Sequence, residues 1–185
     1  MSIKYKFNND DALYFITFAV VDWIDVFTRT VYKDILLDTF RHCVKEKGLI
    51  IHSYVIMTNH VHMIISRNGD KSLPSIMRDM KKYSSHQIIT AIIENTQESR
   101  KQWMLYLFAK AGKQNSNNTH YQFWQQDNHP IELHPHTDIL DKTLNYIHQN
   151  PVNTGMVNNE AAYIYSSASN YQQLESIFNE VEVLY

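Results

Sequence analysis

Residues 58–65 read T-N-H-V-H-M-I-I, two histidines with one valine between them inside an apolar run. On a strand, residues i and i+2 point to the same face. His60 and His62 therefore present two imidazoles side by side, with Val61 and Ile65 on the opposite face. That arrangement suits a divalent ion, provided a third ligand arrives from elsewhere. In isolation an H-x-H is more often a pair of surface or hydrogen-bonded core histidines. Downstream, T-L-N-Y-I-H-Q-N (143–150) places a tyrosine and an asparagine four residues apart in a helical pattern. At about 100° per residue, Ile139, Leu140, Leu144 and Ile147 form an apolar stripe, and Tyr146 and Asn150 fall together on its edge. Spacing alone leaves Tyr146 a helix-edge residue and Asn150 the end of a helix before Pro151.

The elements that would carry these groups can be read from the chain. A-L-Y-F-I-T-F-A-V (12–20) has the aromatic and β-branched content of a strand. A helix is expected over 31–47, capped by Thr30 and stopped by Gly48. Residues 49–58 and 60–66 read as two strands joined by a tight turn at Thr58-Asn59, and a long amphipathic helix follows from about Ser72 to Asn95. The pattern weakens over 96–119, where 114–119 reads as a polar loop, and 121–125 with 130–134 suggests a short hairpin. Thr137 starts a last helix, expected to end near Asn150-Pro151. The order β-α-β-β-α opens an α+β, ferredoxin-like (split βαβ) fold: an antiparallel sheet with helices packed on one face and the 60–66 strand internal.

With 185 residues, 44% of them apolar, one compact domain is expected over residues 1–172, followed by an acidic tail at 173–185. No apolar run is long enough to span a bilayer. The N-terminus lacks the order of a secretory signal. The single cysteine, Cys43, excludes an internal disulfide and reads as a small buried hydrophobe. A soluble, cytoplasmic protein with no membrane partner is the expectation. Net charge is −2, yet residues 67–113 hold nine Lys/Arg against four Asp/Glu, so that segment is +5 and the remainder −7. The asymmetry permits a phosphate-binding face and is met equally by a solvated helix surface.

Taken together, T-N-H-V-H-M-I-I and L-N-Y-I-H-Q-N-P-V-N-T-G-M-V resemble the signatures of the single-tyrosine HUH transposases, and in detail the REP-associated tyrosine transposases (IS200-like). The first signature is His, hydrophobe, His on a central strand: His60-Val61-His62. The second is a helix with a nucleophilic tyrosine, a polar ligand four residues on, then proline, valine and glycine: Tyr146, Asn150, Pro151, Val152 and Gly155. F-W-Q (123–125), I-M-R-D-M-K-K (76–82) and A-A-Y-I-Y-S-S-A-S-N-Y (161–171) are smaller echoes, so the resemblance runs from residue 12 to about 171.

The resemblance implies a metal-dependent enzyme that nicks single-stranded DNA flanked by hairpins and rejoins it. Tyr146 would attack a phosphate to give a 5′-phosphotyrosine, and His60, His62 and Asn150 would hold Mg²⁺ or Mn²⁺. Candidate DNA contacts by residue type are Arg67, Arg78, Lys81 and Lys82 for phosphates, and Tyr121 and Trp124 for stacking on bases. Related enzymes work as a monomer or a homodimer, and both stay open. The family is usually more basic than this chain, although without Glu175, Glu180 and Glu182 the total becomes +1. Three alternatives remain: a non-catalytic, domesticated DNA-hairpin binding protein; a phosphohydrolase using activated water; and a zinc site at His129, His134 and His136. Two prolines interrupt that last cluster and no cysteine is near, so it reads better as a structured loop.

Overall fold

Strand β1 (Leu13–Ala19) alternates in burial: Tyr14, Ile16 and Phe18 are fully buried, whereas Leu13, Phe15 and Thr17 are half-buried. In this computed structural model, which describes residues 6–115 and 120–185, β1 pairs antiparallel with β3 (His60–Arg67) and with β4 (Ile131–Leu133). Strand β2 (Leu49–Ile56) pairs antiparallel with β3 and completes the order β2-β3-β1-β4. Each βαβ unit leaves a gap between its strands that a strand of the other unit fills. This is the expected ferredoxin-like α+β sheet, with β3 internal.

Helices α1 (Thr30–Lys47) and α2 (Leu73–Glu94) cover the face of Tyr14, Ile16 and Phe18 through Tyr32, Leu36, Phe40, Ile76, Met77 and Met80. Thr30 is the first helical residue rather than the cap; Arg29 occupies the cap position in an extended conformation and makes no capping bond. Gly48 ends α1 at φ +74°, and a β-carbon there would overlap the Asn68 carbonyl oxygen, so glycine is required twice over. Cys43 is buried in α1, and burial pushes its thiol up to about 11.

Two expectations about the middle of the chain are corrected. Residues 101–113 form a helix, α3 (Lys101–Lys113), which the sequence reading left without structure. Its buried positions Met104, Phe108 and Gly112 recur every fourth residue, but exposed Trp103 and Tyr106 blur the stripe. Residues 121–125 and 130–134 do not pair with each other: Trp124 bridges to Val20, and β4 pairs with Leu13, Tyr14 and Phe15. Both segments extend the edge of β1. Of the expected polar loop, residues 116–119 lie outside the described residues.

Helix α4 (Asp138–Asn153) begins as expected, with Thr137 Oγ1 accepting from the Leu140 N–H at 3.4 Å. It does not stop at Pro151, which lies inside it and is buried. In the last turn a missing N–H costs one bond, and Thr154 Oγ1 donates to the Asn150 carbonyl at 3.0 Å. The buried stripe is Leu140, Leu144, Ile147, His148 and Pro151, so Ile139 is rotated out and exposed. Most important, α4 packs on the face opposite α1 and α2, where His60, His62 and Ser53 point. The sheet carries helices on both faces, not one. The short helix α5 (Ala168–Tyr171) and residues 173–185 follow it; Phe178 is fully buried against Phe40 and Tyr54, and the Glu182 N–H donates to the Ile51 carbonyl at 2.9 Å. Among the described residues no helix is long and apolar enough to cross a membrane.

Between α2 and α3, the buried carboxylate of Glu98 accepts from Arg29 Nε at 2.6 Å, Arg100 Nε at 3.1 Å, the Arg100 backbone N–H at 3.1 Å and Tyr32 Oη at 3.3 Å. Burial raises its pKa, but the hydrogen bonds from Arg100 and Arg29 outweigh that and hold it down to about 2. The folded value lies below that of an unfolded glutamate, so the stabilisation is complete above about pH 4.5 and is lost as pH falls toward about 2. Glu98→Gln should destabilise the chain by about 2 kcal/mol at neutral pH, and the deficit should shrink below about pH 4. Urea unfolding of both proteins at pH 7 and pH 3.5 measures this.

Candidate functional site

Register decides what meets the two histidines. Thr17 lies opposite His62 and Ala19 opposite His60. The imidazole centroids are 4.7 Å apart. His62 has both nitrogens engaged, Nδ1 with Thr17 Oγ1 at 2.7 Å and Nε2 with Tyr146 Oη at 3.2 Å. Phe15 stacks on the His62 ring at 5.6 Å and meets the Tyr146 ring edge-on at 6.2 Å.

The tautomer of His60 is set by its neighbour in sequence. Asn59 Nδ2 donates to the Trp23 carbonyl at 3.2 Å and to Asp25 Oδ1 at 2.9 Å, which orients the carboxamide. Asn59 Oδ1 then accepts from His60 Nδ1 at 2.7 Å. The proton of His60 is therefore on Nδ1, and Nε2 keeps a bare lone pair. Burial lowers the pKa of His60, with Asp25 opposing. Burial, reinforced by His60, holds His62 down to about 3. Both rings are neutral donors at neutral pH.

Tyr146 is 47% exposed and lies at the mouth of an apolar hollow of about 290 Å³ lined by Phe15, Ile131, Leu133, Ile139 and Thr143. Asn150 follows one helical turn later, half-buried, and its carboxamide makes no hydrogen bond to the described residues. The structure thus brings His60, His62 and Tyr146 into contact, with Asn150 on the adjoining turn. The helix that carries Tyr146 is fastened from behind. A register shift between Ile51 and Ser53 turns the Ser53 side chain toward α4, where His148 Nε2 lies 3.3 Å from Ser53 Oγ and 2.9 Å from Ser167 Oγ. Burial holds His148 down to about 4, with Glu160 opposing, so the clamp is neutral.

The family model described as "Transposase IS200 like" matches residues 11–123. This chain belongs to the IS200-like transposase family. The match covers His60 and His62 and ends ahead of α4. No curated protein matches the chain. A solved structure of a REP-associated tyrosine transposase bound to a REP hairpin shares the fold, with TM-score 0.65 and 19% identity over 96% of this chain and 90% of that one. A crystal structure of a transposase-like protein from Deinococcus radiodurans aligns at TM-score 0.40 and 17% identity over 58% of this chain and 95% of that one.

In this family member the expected DNA contacts fare unevenly. Trp124 is buried, donates from Nε1 to Ser84 Oγ at 3.0 Å and stacks on Phe27, so it is a core residue with no face for a base. Lys81 is also withdrawn: Nζ donates to the Gln125 carbonyl at 2.6 Å and Asn128 Oδ1 at 3.0 Å, tying the 125–128 loop to α2. Arg67 ties the N-terminal segment through Asp10 and Asp11. Arg78 and Lys82 are exposed, Arg78 beside Asp79 at 3.2 Å, and Tyr121 is half-buried. Among the described residues no group of three or more His, Cys, Asp or Glu converges on a point, and His129 and His136 take up positive φ in a loop.

The sequence reading missed Thr17, Phe15, Asn59, His148 and Trp23. Asn59 stands directly before the H-x-H pair, which is a visible signal. Thr17 and Phe15 become visible only through strand register. Trp23 lies in a turn where Asp22 and Trp23 have φ +52° and +54°. Such angles cost about 1–3 kcal/mol each in a non-glycine residue. Removing the α4 clamp should be costly too: His148→Ala should lower stability by about 2 kcal/mol by opening a cavity and removing the imidazole's bonds to Ser53 and Ser167, which keep only each other and the Tyr54 backbone. Ser53→Ala should lower it by less than half as much, as measured by chemical denaturation.

Proposed function

We propose that this transposase cuts and rejoins single-stranded DNA through Tyr146, with His60, His62 and Asn150 holding Mg²⁺ or Mn²⁺. The carrying observation is that the Tyr146 phenol lies 3.2 Å from Nε2 of a neutral histidine whose neighbouring imidazole is 4.7 Å away, centre to centre. A phenol of ordinary pKa near 10 is a weak nucleophile, so the chemistry needs charge stabilisation on the phosphate. The donor set fits a divalent ion: His60 offers a bare Nε2, His62 turns its Nε2 toward Tyr146, and the Asn150 carboxamide is uncommitted. All three donors are neutral, and imidazole suits Mn²⁺ better than Mg²⁺. A bound ion would polarise a phosphate oxygen and offset the charge developing there.

Tyr146 Oη attacks the phosphorus, the P–O3′ bond breaks, and its electron pair leaves on O3′, which takes a proton while the phenol releases one to solvent. The 5′-phosphotyrosine retains the energy of the bond, so a 3′-hydroxyl of another strand reverses the step without an outside energy source. The His148 clamp holds the nucleophile's helix rigidly on the sheet, and Thr17 and Asn59 hold the imidazoles. The reading takes residues 1–172 as one catalytic domain, with 173–185 strapped along β2. Hairpin-flanked DNA is the substrate proposed, supported by the hairpin bound to the structure of similar fold.

Incubation of the purified chain with Mn²⁺ and single-stranded hairpin DNA flanking its own gene should yield a covalent adduct, located on Tyr146 by peptide mass spectrometry. Tyr146→Phe should reduce the adduct at least about a thousandfold. His60→Ala should reduce it about a hundredfold or more. Hairpin binding with no adduct in any divalent ion would establish the non-catalytic binder instead. Undiminished cleavage by Tyr146→Phe would replace the tyrosine mechanism with hydrolysis. Asn59→Ala, which releases the His60 tautomer, should weaken Mn²⁺ binding about 10- to 100-fold by calorimetry.

A further inference from the structure

Trp23 is placed at a cost and then left uncovered. Its backbone and that of Asp22 both adopt left-handed angles, φ +54° and +52°. A bulky aromatic residue takes such a conformation only where its surroundings impose it. Here they do. Val21, Ile24, Val26 and Phe27 on either side are buried in the core. The Val21 N–H donates to the Phe123 carbonyl at 2.8 Å, and the Phe27 N–H donates to the Thr58 carbonyl at 2.8 Å. Yet the residue so constrained is 55% exposed, so the fold leaves more than half of its surface open.

What the constraint does achieve is position. The indole sits edge-to-face with His60 at 5.7 Å between ring centres. Its carbonyl is held by the same Asn59 carboxamide that sets the His60 tautomer. The strained turn thus presents an open aromatic face beside the imidazole pair, on a lever fixed to one of its two members. Asp22 and Asp25 flank the indole in sequence, and the guanidinium of Arg100, which reaches the same turn, is spent on the Asp25 carbonyl at 2.7 Å and on Glu98 at 3.1 Å. The complement of the exposed indole is an uncharged, planar, unpaired base.

We propose that Trp23 is the stacking platform for one unpaired base of the single-stranded DNA that crosses the imidazole pair, setting the strand's register at the site. This rests on the single-stranded DNA reading above and adds a residue that positions substrate through its base. Stacking on a tryptophan is tolerant of base identity, so Trp23 fixes where a strand sits rather than which sequence it has.

The test uses the full chain carrying Tyr146→Phe, to prevent turnover, and hairpin oligonucleotides with single-stranded flanks in which an abasic residue is walked one nucleotide at a time. Fluorescence anisotropy measures affinity. One abasic position should weaken binding roughly 5- to 150-fold. Trp23→Ala should weaken binding of intact DNA by a similar factor, and the two changes together should cost no more than either alone. Trp23→Phe should retain most of the affinity. Trp23→Gly, which suits the positive φ, should melt no lower than the parent and still show the full loss, separating stacking from folding. Equal weakening by Trp23→Ala at every abasic position, or no weakening, overturns the proposal, as does failure of the parent to bind at all. Single-position coupling without any Tyr146 adduct in the parent protein would leave Trp23 in place and overturn the cleavage reading alone.

Discussion

An imidazole on an interior strand must find partners for both nitrogens or be desolvated at a net cost. Two such rings stand next to each other on β3, 4.7 Å apart, and much of the surrounding structure serves to satisfy them. Thr17 answers Nδ1 of His62 from the adjacent strand, and Asn59 answers Nδ1 of His60 from the turn before it. Both partners engage Nδ1, which leaves the two Nε2 atoms as the outward-facing pair. Neutrality follows from burial, and a neutral pair does not repel a cation as a charged pair would.

The division of labour between the sheet's faces follows from that demand. The face of Tyr14, Ile16 and Phe18 is wholly apolar and carries α1 and α2, so it provides most of the core. The other face cannot be sealed in the same manner, because its centre is polar. Helix α4 resolves the conflict by burying Leu140, Leu144 and Ile147 while leaving Tyr146 at the margin. Its one deep polar contact, His148 with Ser53 and Ser167, is completed by the Tyr54 backbone. Tyr146 and His148 lie two residues apart and face different ways: one toward the imidazoles, the other into the clamp. The orientation of Tyr146 is therefore tied to the packing of the helix rather than to its own contacts.

Much of this could be read from the chain. Aromatic and β-branched content marked β1, the glycine at 48 and the turn at 58–59 bounded the next two strands, and H-V-H with Y-I-H-Q-N-P marked residues that the fold brings together. What could not be read was anything that depends on register or on which face a helix takes. Thr17 and Phe15 look like ordinary strand residues until pairing places them against His62. Trp124 and Lys81 carry the side chains of a DNA-binding surface, yet the fold uses one as core and the other as a tie for a loop. Residue type states what a side chain is able to do; its neighbours decide which of those things it does. The same limit hid α3, whose exposed aromatics mimic a second buried face.

The charge distribution makes the same point with a consequence for recognition. The nine cations of residues 67–113 look in sequence like a phosphate-binding segment. In the fold, Arg67 is paired with Asp10 and Asp11, Arg100 with Glu98, Lys81 with the 125–128 loop, and Lys101 with the Ile93 carbonyl. Within that segment the cations left without partners are Lys82, Lys110 and Lys113, and the last two share α3 with the exposed Trp103 and Tyr106. So few free cations in that segment leave it little affinity to gain from releasing counterions along a phosphate backbone. On the function proposed above, its hold on DNA would fall to aromatic faces and to an ion held by the imidazole pair, and both would favour strands whose bases are unstacked and turned outward.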